Sequence, residues 1–165
     1  MKMHRKSYAT APGRLGTLFE EESPRLWRAV FAFAGNREIA SDAVAESFAQ
    51  CLRRGQEVRD PRAWIWRSAF RIAAGELKDR GRWAPWPPET PSEEPEGTGA
   101  LLVALGSLPP MQRATIILRH FAGYDAGEIG TALGIGRATV RVHLSRGRRR
   151  LRSLLEEEGT NDERP

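Results

Sequence analysis

Wherever apolar and polar positions repeat along this chain, they repeat at the spacing of a helix. Val44, Phe48, Cys51 and Leu52 mark one inward stripe over residues 37–54, and Ile65, Ala69, Ile72 and Ala73 mark another over 61–80. Val140, Leu144 and Leu151 fall within a narrow sector of a third helix running from about Arg137 to Glu157. No segment sustains the two-residue alternation of a half-buried strand, and Asn-Gly and Asp-Gly hairpin turns are absent. The pattern predicts an all-α fold.

Start and stop signals divide that pattern further. Ser23-Pro24 and Asp60-Pro61 each put a capping side chain before a proline, which loses nothing at a first helical position because the N–H there has no partner anyway. They predict a helix over Pro24–Ala34, preceded by a short helical segment over 14–22, and a helix over 61–80. The helix between them, 37–54, ends at Gly55. Further on, Ala100–Leu105 reads as helical, and Pro110–Ala122 follows Leu108-Pro109 and stops at Gly123. Asp125 with Glu128 forms a capping box that opens a short helix, closed by Gly134 nine residues after the cap.

Between the two helical groups lies WAPWPPETPSEEPEGTG, which has five prolines, four Glu, no cation and almost no aliphatic residue. Such a stretch can neither continue a helix nor contribute a core. The expected organisation is therefore two small helical domains, 14–80 and 100–157, joined by an acidic proline-rich linker over 81–99, with tails over 1–13 and 158–165. A length of 165 residues accommodates that arrangement.

Charge then separates the two halves in function. The chain carries 26 Lys+Arg against 21 Asp+Glu, a net +5, and 23 of the 26 cations are Arg. Arginine favours flat, two-pronged contact with phosphates and guanine edges. Its distribution is uneven: Arg137 to Arg152 holds seven Arg and His143 with no acid. A merely solvated helix usually mixes Glu with Arg at i+4 spacing, whereas here acids resume only at Glu156. The segment DAGEIGTALGIGRATVRVHLSRGRRRL thus reads as a helix-turn-helix whose second helix packs Val140 and Leu144 on Ile129 and Leu133 of the first. Ala138, Arg141, Val142, Ser145, Arg146 and Arg149 are left on the outward arc, a mix of small, apolar and cationic side chains suited to a major groove.

The first half offers two further faces. On the 61–80 helix, Trp64, Arg67, Arg71 and Lys78 lie together outside, with Trp66 and Phe70 as an i, i+4 pair on the flank. Aromatic rings among cations form the platform on which bases of a single strand stack while phosphates are neutralised; Trp66 and Phe70 fit the edge of a core equally well. On the 37–54 helix the outward face carries Asp42, Glu46, Ala49 and Arg53, either a plain solvated face or a surface for a protein partner. Cys51, the sole cysteine, reads as a small buried hydrophobe, so disulfides and cysteine-based metal clusters are not expected. Mean hydropathy is −0.50. No uncharged apolar run reaches the ~18 residues a membrane span needs, and no apolar stretch follows the basic N-terminus MKMHRKSYATAPG. A soluble, cytoplasmic protein without a secretory leader is the expectation.

These motifs together resemble a known family. LPPMQRATIILRHFAGYDAGEIGTALGIGRATVRVHLSRGRRRLR, SDAVAESF and WIWRSAFRIA are similar to the motif strings of extracytoplasmic-function (ECF) sigma factors, bacterial RNA polymerase specificity subunits, over roughly residues 15–157. The resemblance implies core RNA polymerase and promoter DNA as partners, and leaves room for an anti-sigma protein. It implies that Asp42, Glu46 and Phe48 dock on the polymerase clamp and that Trp64, Trp66 and Arg67 hold the melted minus-ten strand. It also implies that Arg137 to Arg149 read the element near minus thirty-five and that the linker threads toward the RNA exit path. This chain departs from the family pattern at Ala45, Gly130, Gly136 and Gly147, and at Arg71 and Gly75, where the family often carries an Asn tied to strand separation and an Asp or Asn.

Two other function classes meet the same residues. A stand-alone helix-turn-helix regulator explains residues 101–157 equally well, but leaves the basic aromatic helix and the acidic linker unused. An enzyme such as a nuclease would need clustered ligands or a base. His4, His120 and His143 fall instead in a tail, on an apolar helix where His120 reads as packed, and on the reading helix. No metal, cofactor or small-molecule substrate is therefore expected.

Overall fold

A computed structural model describes residues 11–80 and 98–161, and every regular element in them is helical except for one short 3-10 turn. The helices are α1 (Ala11–Ala34), α2 (Arg37–Arg54), α3 (Pro61–Asp79), α4 (Thr98–Gly106), α5 (Pro110–His120), α6 (Ala126–Leu133) and α7 (Arg137–Asn161). The all-α expectation holds for these residues. The proposed linker lies largely outside them, and its last two residues, Thr98 and Gly99, already belong to α4.

Local chemistry sets most boundaries. Asn36 Oδ1 accepts from the Ile39 N–H at 2.9 Å to open α2, and Gly55, at φ 55°, closes it. Asp60 Oδ1 accepts from the Ala63 N–H at 3.0 Å, so α3 starts with Pro61 at its first position as the sequence indicated. The Asp125/Glu128 capping box is present on α6, which Gly134 ends in the left-handed conformation at φ 70°.

Pro24 behaves otherwise. It lies inside α1, one continuous helix, so the expected break at Ser23 does not occur. Pro24 and its i−4 neighbour Glu20 are both exposed, which lets water reach the backbone where an intrahelical bond is lost. The turns before Pro24 are also held from outside: Glu22 accepts from Arg62 Nε at 2.7 Å and from Trp66 Nε1 at 3.0 Å, and Phe19 meets the ring of Phe48 edge-on. Tertiary contacts of this kind override a local breaking signal.

Residues Ala29 to Ala34 of α1 are all buried, because this end of the helix has neighbours on every side. α2 and α3 cover one flank, and α4 and α5 cover the other. Across that second flank the core of the first half runs without interruption into that of the second. Arg113 of α5, 6% exposed, donates from Nη1 to the Phe33 carbonyl at 2.9 Å and from Nη2 to the Gly106 and Leu108 carbonyls at 2.8 and 3.1 Å.

In the second half α7 crosses α5 and α6. Val140 and Leu144 are buried as anticipated, against a buried Ile129. Two of the departing glycines are seats for this packing. A Cβ on Gly130 would stand 2.6 Å from the Ile135 carbonyl oxygen, and one on Gly147 would stand 3.1 Å from Ile116 Cγ1. The backbone approaches so closely there that the helix propensity given up by glycine is offset by contact.

Candidate nucleic-acid interface

α7 presents its arginines as the sequence arithmetic anticipated. Arg137, Ala138, Arg141, Val142, Ser145, Arg146 and Arg149 are all exposed, while Val140, Leu144 and Gly147 face the protein. Arg141, Leu144, Ser145, Arg148, Arg149 and Arg152 line a shallow open groove along the helix. Val142, 45% exposed, stands among these cations as an apolar side chain without cover. The arrangement offers charge to phosphates along the helix and an apolar contact in the middle.

The start of α6 is electrostatically braced. Main-chain N–H groups of Glu128 and Gly127, and behind them the charges of Arg137 and Arg119, hold the Asp125 carboxyl below its ordinary value. His120, at the end of α5, is exposed and not packed as its sequence context suggested. Partial desolvation and the charges of Arg148 and Arg119 keep its imidazole below the ordinary range.

α3 divides the residues that the resemblance had grouped. Arg71 is exposed, and Trp64 and Arg67 are half-buried. The guanidinium of Arg54 lies 5.8 Å from the Trp64 ring centroid. Nothing in the sequence flagged Arg54; its one signal is the short turn from α2 to α3. Trp66 is different: it is 1% exposed. Its Nε1 donates to Glu22, Arg25 sits over the ring at 5.8 Å, and Phe70 and Tyr124 pack beside it. Trp66 therefore has no free face for a base in this conformation, and of its two open readings the structure shows the core one. Partial burial would raise the Glu22 carboxyl, but the bonds from Arg62 and Trp66 and the charges of Arg62 and Arg25 outweigh it and hold the group below its ordinary value.

On α2, Asp42 is exposed and Glu46 half-buried, the latter accepting from Gln50 at 2.8 Å and Arg53 at 2.7 Å. Phe48 is 6% exposed and packs into the core, so it supports the carboxylate face from behind. Leu52, assigned inward by periodicity, is 53% exposed, and Phe19 of α1 is 47% exposed. Among the described residues no group of three or more His, Cys, Asp or Glu is placed to hold a metal ion, and no helix is long and apolar enough to cross a membrane.

Residues 98–151, from α4 through most of α7, match the family described as sigma-70, region 4. The chain is 30% identical to the ECF RNA polymerase sigma factor SigE of Mycolicibacterium smegmatis over 84% of its own length, and spans 60% of that relative. The chain is thus similar to ECF sigma factors over most of its length, while it spans less than two thirds of the SigE relative. RNA polymerase sigma factor SigV of Bacillus subtilis is 26% identical over 93% of this chain and 98% of its own. The fold is that of the sigma factor RpoE from Bartonella quintana, solved in complex with the anti-sigma factor NepR, with a TM-score of 0.76 at 18% identity over 87% of this chain and 97% of that one. The region 4 match covers α4 to α6 and α7 as far as Leu151, while the acidic and aromatic faces belong to the half before it.

Proposed function

We propose that this chain binds core RNA polymerase in the cytoplasm and directs it to promoters, reading the upstream element with α7 and taking part in melting through α3. The observation that carries this reading is α7 itself. It presents an acid-free row of exposed arginines around Val142, in a segment matched by sigma-70 region 4. Arg137, Arg141, Arg146 and Arg149 supply phosphate and base-edge contacts, and Ala138, Val142 and Ser145 let the helix approach the groove. Trp64, Arg67 and Arg71 offer a half-open ring and two cations to a melted strand. Asp42 and Glu46 form the polymerase face, with Phe48 fixing it from beneath. Chemistry stays with the polymerase, so the chain is not itself an enzyme. RpoE is seen with an anti-sigma factor, which supports an anti-sigma protein as a further partner here. The two-helix-face architecture favours this reading over a stand-alone regulator, whose first half would carry no acidic docking face.

Run-off transcription with core polymerase, on a library of DNA from upstream of the chain's own reading frame, tests the proposal. A transcript that depends on the protein, and is lost with Asp42→Arg plus Glu46→Arg together with co-purification of the polymerase, is expected. Tight sequence-specific duplex binding by the chain alone, with no effect on transcription, would establish the regulator.

A further inference from the structure

Gly127, the second residue of α6, has no conformational reason to be glycine: it is not one of the positive-φ glycines, and alanine there would favour the helix. The side chains around it supply a reason. A Cβ at this position would stand 2.6 Å from Arg137 Nη2, 3.3 Å from Arg137 Nε and 3.2 Å from Asp125 Oδ1. All three are side-chain atoms, whereas a Cβ on Gly130, one turn later, would meet a main-chain oxygen. The bare Cα of Gly127 is thus a seat for the Arg137 guanidinium, which folds back from the first residue of α7 onto the first turn of α6. Beside the seat stands the Asp125 carboxylate, fixed by the N–H groups of Gly127 and Glu128 at 2.7 and 2.9 Å, and its charge attracts the guanidinium. Arg141, one turn further along α7, lines the open groove of that helix; Arg137 is not among the side chains that do.

We infer that Gly127 positions Arg137, and that Arg137, so seated, holds a phosphate of the DNA strand beside the reading helix and does not read a base. The DNA half of this inference rests on the sigma-factor reading of α7. In a helix-turn-helix the second helix enters the groove while the first crosses the sugar-phosphate backbone. A guanidinium lying on the first turn of α6 is therefore carried to the strand, while Arg141 stays on the face turned to base edges. The flat fork of an arginine suits two phosphate oxygens, and the side chain remains exposed to receive them. Because the seat orders the side chain beforehand, less rotamer freedom is lost when the phosphate binds. Glycine at position 127 thus gives up some helix propensity and gains a preset phosphate contact at the corner between the two helices.

Two measurements on the full chain test the two halves. In the free chain, the nitrogen-15 NOE of the Arg137 Nε–H should show a more rigid side chain than that of the exposed Arg146, and Gly127→Ala should loosen it. That variant should unfold at or above the parent's temperature, because alanine is the better helix former and the guanidinium it displaces is the free end of a long side chain. An Arg137 side chain as loose as Arg146 in the parent overturns the seat, and so does a Gly127→Ala chain that melts lower with Arg137 still rigid. Assembled with core polymerase, Arg137→Ala should weaken binding several-fold and equally on all single-base variants of the upstream element, and flatten the salt slope by about one phosphate contact. Gly127→Ala should give a smaller loss of the same kind, and should add nothing in the Arg137→Ala background. A loss confined to one base position overturns the phosphate role, and equal losses from Gly127→Ala in both backgrounds overturn the pairing. A chain that directs no promoter-dependent transcript overturns the sigma-factor reading and the phosphate half with it, while a rigid Arg137 loosened by Gly127→Ala would uphold the seat.

Discussion

The two proposed nucleic-acid faces, α7 and α3, have similar ingredients and opposite settings. Both carry arginines beside apolar side chains. On α7 the apolar member, Val142, is exposed with its cations; on α3 the corresponding aromatic, Trp66, is buried beneath Arg25 and Tyr124. The cause lies outside either helix. α7 packs one stripe on α5 and α6 and turns the other side to solvent, whereas α3 packs on α1 and α2 and is then covered again by α6 and the turn before it. A side chain that periodicity leaves on the flank of a helix is placed by what packs on that flank from elsewhere in the chain.

The contrast is most open to test at Trp66. Trp66→Ala should cost about 3 to 5 kcal/mol of stability, the range for deleting a buried large aromatic, whereas Trp64→Ala, with its ring half-open, should fold nearly as the parent does and lose promoter melting instead. Thermal unfolding and permanganate reactivity of promoter thymines measure the two. If Trp66→Ala is as stable as the parent, the buried setting of that ring is wrong.

Next come the arginines of α7. Arg141→Ala should cost roughly 1 to 3 kcal/mol at a single base position and relax specificity there, because Arg141 stands near the start of the helix where base edges are read. Arg150→Ala, farther along, should weaken all promoters about equally and reduce the salt slope by about one contact. Transcription or binding on single-base variants of the upstream element at several salt concentrations separates them.

Two glycines sharpen the contrast in packing. Gly130→Ala drives a Cβ to 2.6 Å from a backbone oxygen and should destabilise the α6–α7 pair by about 1 to 3 kcal/mol. Gly75→Ala on α3 meets nothing within 4 Å and should stabilise by about 0.5 to 1 kcal/mol. Chemical denaturation of each variant measures both signs.

The smallest effect is at His120. Its imidazole is held below the ordinary value of 6.5 when folded, so the unfolded chain binds the extra proton more readily. Stability should therefore decline as pH falls through that region, by a small amount that His120→Gln removes. An unchanged pH slope in that variant would show that His120 does not contribute.

Much of the fold was legible because its signals are local. Asp60 and Asp125 cap their helices, Gly55 and Gly134 end theirs, and the inward stripe of α7 is unbroken from Val140 to Leu144. What the sequence hid depends on partners distant in the chain. Pro24 stays inside α1 because Glu22 and Phe19 are held by α3 and α2. Leu52, two residues from the end of α2, falls outside its expected stripe. Gly130 and Gly147 read as losses in propensity, and only the helix crossings show what they admit. The candidate site divides in the same way: the α7 arc needed periodicity alone, while the burial of Trp66 and the place of Arg54 needed tertiary contacts.

Photo-crosslinking in the initiation complex determines whether α7 and α3 act on two different parts of one promoter. A photoreactive amino acid replaces Val142 in one version of the chain and Trp64 in another, each assembled with core polymerase on promoter DNA. Position 142 should crosslink to duplex in the upstream element, and position 64 to the melted strand near the start site only after the DNA has opened. Crosslinks from both positions to the same duplex segment, formed without polymerase, would contradict this.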